Sequence, residues 1–153
     1  MKKYIALFLT LVLCLAFVPA ALAAEPAYKI VSESTEILPD GTVVTVVVSE
    51  QIVQTRGRVY SKVGRKDYIY GTEWTFTVYG TFSINEGVSA TCTADSYGVS
   101  IGNAEWAKQS ASSGHSGNSA YASGTMTRYV QGHAVQNIYP SVSVSCDANG
   151  TIS

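Results

Sequence analysis

The chain has 153 residues, 46% of them apolar and 14% charged, and ten basic against eleven acidic side chains leave a formal net charge of −1. A charged fraction well below the roughly 25% of an ordinary soluble domain excludes disorder driven by charge repulsion. The lack of a basic excess excludes a general nucleic-acid binder.

Met1–Ala24 reads as a secretory leader. Lys2 and Lys3 give the positive start, Ile5–Val18 is an apolar stretch of signal-core length, and Pro19 breaks it before Ala21-Leu22-Ala23. Cleavage is expected near Ala23 or Ala24, and the mature protein is expected outside the cell with no later apolar run to hold it in a membrane. Cys14 falls within the leader and is preceded by Leu13, which does not suit a lipid-modified cysteine. Removing the leader takes the basic count from 10 to 8, leaves 11 acids, and makes the net charge −3. About 130 residues then remain, which suits a single domain over residues 25–153 with one core.

Along the mature chain the two-residue period dominates and no 3.6-residue stripe occurs. Strands are expected at Tyr28–Ile37 and Thr42–Val53, joined by the turn Leu38-Pro39-Asp40-Gly41. The clearest strand places Trp74, Phe76, Val78, Gly80, Phe82 and Ile84 on one face and threonine, serine and tyrosine on the other, with a bend allowed at Gly80. Asn85-Glu86-Gly87 reads as a hairpin turn, after which Val88, Ala90, Cys92 and Ala94 continue the inward face. A weaker alternation covers Val99–Lys108, and Ala120–Val130 and Ala134–Cys146 complete the set. About seven strands with Gly- and Ser-rich turns predict an all-β fold, an antiparallel sandwich or alternatively a small barrel.

Two segments break the pattern. Arg56–Lys66 holds five of the eight mature positive charges. Gln109–Ser119 is polar, rich in serine and glycine, and is expected as a loop. Arg56, Arg58, Lys62, Arg65 and Lys66 interleave with Tyr60, Tyr68 and Tyr70, a composition suited to an anionic polymer or to a solvated hairpin that protects a sheet edge. Trp106 is out of register with Val99 and Ile101 and is therefore expected to be exposed, where its ring could stack on a sugar.

Catalytic signals are sparse. His115 and His133 lack metal-ligand spacing to another His, Cys or Asp, and no G-x-S-x-G elbow occurs. Asp147-Ala148-Asn149-Gly150 lacks the later ligands of a calcium loop and reads as a turn. No metal or cofactor is expected. Cys92 and Cys146, an isolated pair in an oxidising exterior, are expected to form one disulfide. It would close a loop of about 55 residues, worth roughly 4 kcal/mol in the chain-entropy model.

The lysine-led signal, Gly80-Thr81-Phe82 followed by Thr91-Cys92-Thr93, and the ending Ser145-Cys146-Asp147-Ala148-Asn149-Gly150 resemble small uncharacterised secreted proteins of Gram-positive, Clostridia-type bacteria. That resemblance implies secretion and carries no activity. The expected function is a non-enzymatic binding module for an anionic wall polymer, a glycan or a host surface. A secreted bacteriocin-like or host-directed effector is the alternative, and a small hydrolase is disfavoured unless a histidine meets an acid in a cleft.

Overall fold

The computed structural model describes residues 27–56 and 58–153, so the expected leader and its cleavage site lie outside the described residues. Strict alternation makes Trp74–Asn85 the most completely buried strand: Trp74, Phe76, Val78, Gly80, Phe82 and Ile84 all face inward, as the sequence predicts. Around it the described chain forms nine strands: β1 Lys29–Ile37, β2 Val43–Arg56, β3 Val59–Tyr70, β4 Trp74–Asn85, β5 Ser89–Ile101, β6 Trp106–Ser116, β7 Ser119–Val130, β8 His133–Ile138 and β9 Ser141–Ser145. Strands β1 to β5 form an antiparallel meander. In the second sheet β6 pairs with one edge of β7, while β8 and β9 pair end to end along the other.

The two sheets stack and do not close into a barrel. The small sheet covers β3, β4 and β5, where Ala120, Ala122 and Met126 of β7 and Val142 and Val144 of β9 meet the apolar face of β4. Burying each large side chain there contributes roughly 2 to 3 kcal/mol of transfer free energy. Gly80 pairs with Gly64 across β3 and β4, and the Phe82 ring fills the space above them. A Cβ at Gly80 would lie 2.7 Å from that ring and 2.9 Å from Ala120. β1 extends beyond the cover, every residue of it exposed, and Lys29, Glu33 and Glu36 place charges on this free edge.

Three sequence expectations change. The polar run Gln109–Ser119 is not a loop but most of β6, the turn and the start of β7; small side chains leave the backbone free to pair fully. From Val59 to Lys66 the basic run is likewise paired, within β3. In β5 a bulge between the Thr81–Ala94 and Phe82–Cys92 pairs shifts the alternation, so Asp95, Tyr97 and Val99 face inward and Ala94 does not.

The expected disulfide is absent, although both cysteines are buried in the core as such a bridge requires. Cys92 belongs to the large sheet and Cys146 follows β9 of the small one. Their backbone N–H groups donate to successive carbonyls of the β6–β7 turn, Gly117 O at 2.8 Å and Asn118 O at 3.0 Å. Each thiol then turns to its own strand: Cys92 Sγ faces Ala94 O at 3.3 Å and Cys146 Sγ faces Asp147 O at 3.5 Å. Burial pushes both thiols up, Cys146 to about 11. Thiol titration of the mature protein is therefore expected to find no reactive groups at neutral pH when folded, and two after unfolding without reductant. No thiol after unfolding would overturn the unbridged assignment. A raised folded pKa means the contribution of Cys146 is complete below about pH 9 and is lost as pH climbs toward 11.

Candidate functional site

The pleat of β3 divides the basic segment. Residues 60, 62, 64, 66, 68 and 70 face the small sheet, whereas Arg65 and Asp67 face the opposite side. Lys62 is buried, its Nζ donating to Glu50 Oε2 at 2.9 Å and to Gly150 O at 2.7 Å. Tyr60 donates to Asn149 O at 3.3 Å, so both side chains hold the C-terminal turn. Gly150 adopts a φ of 78°, and a side chain there would collide with the Tyr60 hydroxyl. Lys66 is half-buried on that same face, and the Tyr68 ring stacks on Trp74 at 5.7 Å. On the far side Arg65 pairs with Asp67 at 2.8 Å and lies over the rings of Tyr28 and Tyr79. Arg58 is exposed at the hairpin end, and the Arg56 side chain lies outside the described residues. The segment does not form one cationic surface.

Trp106 is also placed differently from the expectation. It is only 4% exposed, packed edge-on against Tyr70 and Trp74, and its Nε1 donates to Glu73 Oε2 at 2.9 Å. Residues 102–105 turn the chain between β5 and β6, so the phase of Val99 and Ile101 does not carry over to Trp106.

Sequence reasoning missed the outer face of the small sheet. Its register aligns Ser112, Ser123 and Ser141 in one row across β6, β7 and β9; the next row is Gly114, Tyr121 and Ser143, and the next Ser116, Ser119 and Ser145. Rows on a sheet are spaced about 4.8 Å between strands and about 6.7 Å between alternate residues, so the hydroxyls form a regular grid. Gly114 makes room for an aromatic ring lying on the face: a Cβ there would sit 2.8 Å from ring atoms of Tyr121. A groove of about 440 Å³ runs beside it, with Ser110, Ser112, Ser123, Thr125 and Ser141 among its walls and Tyr139 at its rim. Tyr121 is 51% exposed and Tyr139 70%. No residue lining the groove carries a charge. The signal in the sequence is serine at alternate positions 110 and 112, and 141, 143 and 145, which composition alone does not separate from a loop.

His115 contacts a carboxylate, through Nδ1 to Asp95 Oδ1, across the seam between β5 and β6. The Ser113 hydroxyl and the His115 ring hold the Asp95 carboxyl below the usual range. Neither His115 nor Asp95 lines the groove, and the pair joins the two sheets. Among the described residues no group of three or more His, Cys, Asp or Glu could hold a metal ion.

Comparison with protein-family models, curated proteins and solved structures finds no match to this chain.

Proposed function

We propose that the chain is a secreted, non-enzymatic binding module whose small sheet takes an uncharged glycan on its outer face. The observation that carries this reading is the charge-free hydroxyl groove bordered by the exposed ring of Tyr139, with Tyr121 lying on the same face. Sugar rings offer apolar C–H faces that pack on aromatic rings, and hydroxyls that exchange donors and acceptors with serine and threonine. A groove whose lining carries no cation offers an anionic polymer no electrostatic attraction there, which favours a neutral chain. The leader-like N-terminus and the hydroxyl-rich exterior suit work outside the cell.

Retention on insoluble cellulose, chitin and xylan, compared with an anionic wall polymer, tests the reading. Tyr139→Ala and Tyr121→Ala are expected to lower retention on a neutral polysaccharide by at least about tenfold, as loss of an aromatic contact anchor does. Neutralising Arg58, Arg65 and Lys66 should leave it unchanged. Retention that follows the basic residues, or that ignores both tyrosines, would sink the proposal.

A further inference from the structure

The large sheet ends on an open edge. β1 pairs with β2 along one side, no described strand lies on the other, and all nine of its residues are exposed. An edge of this length offers a row of backbone N–H and C=O groups to any strand that fits it. It also carries apolar side chains into water. Ile30 is 60% exposed, Ile37 70%, and Val43, the ladder partner of Ile37, 44%. The ladder fixes which face each residue takes. Ile30, Glu33, Thr35 and Ile37 oppose Ser49, Val47, Thr45 and Val43 on the face away from the small sheet. Lys29, Ser32, Ser34 and Glu36 oppose Glu50, Val48, Val46 and Val44 on the other face. The register shift between Ile30 and Ser32 leaves Val31 without a ladder partner, and so brings the isoleucines at both ends of the strand onto one face.

We infer that β1 pairs with β1 of a second copy of this chain, antiparallel about a two-fold axis at Ser34. Antiparallel pairing sets like faces opposite one another. With Ser34 against its own copy, Glu33 opposes Thr35, Ser32 opposes Glu36 and, across the Val31 bulge, Ile30 opposes Ile37. Val43 flanks each isoleucine pair, so two apolar clusters leave water together. On the other face Lys29 stands diagonal to Glu36 of the second copy, twice by symmetry. The two Glu33 carboxylates also lie diagonal, one repulsion against two attractions. Neighbouring registers fit less well: an axis at Glu33 opposes that carboxylate to its own copy and parts the isoleucines, and an axis at Thr35 sets Ile37 against Glu33. The charges that discourage foreign strands on this edge therefore admit a copy of the same strand.

Sedimentation velocity of the mature protein across micromolar concentrations should show a monomer–dimer equilibrium. Ile37→Lys is expected to weaken dimerisation at least about tenfold, because it sets an ammonium against Ile30 of the second copy. The side chain is exposed in the monomer, so the melting temperature of the dilute variant should stay that of the wild type. Ser34→Cys should give a disulfide-linked dimer on mild oxidation, since opposed residues of an antiparallel pair lie about 4.5 to 5.5 Å apart at Cα, within disulfide reach. Ser32→Cys should not, because it lies four positions from its own copy along the ladder, about 14 Å. The native thiols are buried and do not compete. A monomer at every concentration, a dimer indifferent to Ile37→Lys, or equal crosslinking at both serine positions would overturn the proposal. The interface shares no residue with the serine groove, so self-association and polysaccharide retention succeed or fail independently.

Discussion

Lys62→Ala is expected to destabilise the fold by about 3 kcal/mol, the low end of the cost of removing one member of a buried ion pair. The side chain runs along the inner face of β3 and ends between Glu50 Oε2 and Gly150 O. Truncation leaves that carboxylate and that carbonyl with a partner missing in a region water barely reaches, because the pair is 11% and 18% exposed. The damage should extend to the C-terminal turn, where Gly150 O loses its ammonium donor and Ile152 must still pack over Gly64. Denaturant midpoints check this, with Arg58→Ala as the exposed control expected within about 0.5 kcal/mol of wild type. Removing both charges by Lys62→Met with Glu50→Leu should recover most of the loss, since an apolar replacement of a buried pair is often near neutral. A Lys62→Ala variant as stable as Arg58→Ala would show that this lysine is solvated and free to bind, as the charge run suggests.

The strands legible in the sequence are those whose two faces differ in polarity. β4 sets five large apolar side chains against threonines, serine and tyrosine, and its extent follows directly. β3 hides the same periodicity, because charged side chains occupy both faces: Lys62 is buried by pairing with Glu50 and Gly150, while Arg65 is half-buried on the other side against Asp67 and the Tyr79 ring, and most of these partners are distant in sequence. β6 hides it differently. Ser110, Ser112, Ser113 and Gly114 are nearly equal in polarity, so alternation carries no amplitude, and the strand exists because β7 offers a complete ladder. The cysteines illustrate a third limit. Alternation places both in the core, but whether two core thiols meet depends on the β6–β7 turn inserted between their backbones. The serine grid needed the register of three strands.

The Trp106→Ala substitution is expected to cost about 4 kcal/mol, within the usual range for emptying a buried aromatic site. The ring packs at 62° against Trp74 and at 66° against Tyr70, whose own ring stacks on Trp74 at 4.9 Å, so truncation opens space beside two aromatic neighbours. It also removes one of the two donors on Glu73 Oε2. Glu73 is the joint between the β3–β4 turn and the β5–β6 connection: its carbonyl accepts from Gly102 N at 2.7 Å and Asn103 N at 3.1 Å, and its carboxylate from Asn103 and Trp106. Loss of the indole therefore weakens packing and the tie between the sheets at the same place. Trp106→Phe separates the two effects, because it keeps an aromatic ring and drops the donor; it should cost about 2 to 3 kcal/mol, in the range of one missing hydrogen bond to a charged group plus a small volume loss. Equilibrium unfolding of the three proteins distinguishes these contributions. If Trp106→Ala unfolds with the wild-type midpoint, the ring lies at the surface and the sugar-stacking role drawn from its position in the sequence regains its ground.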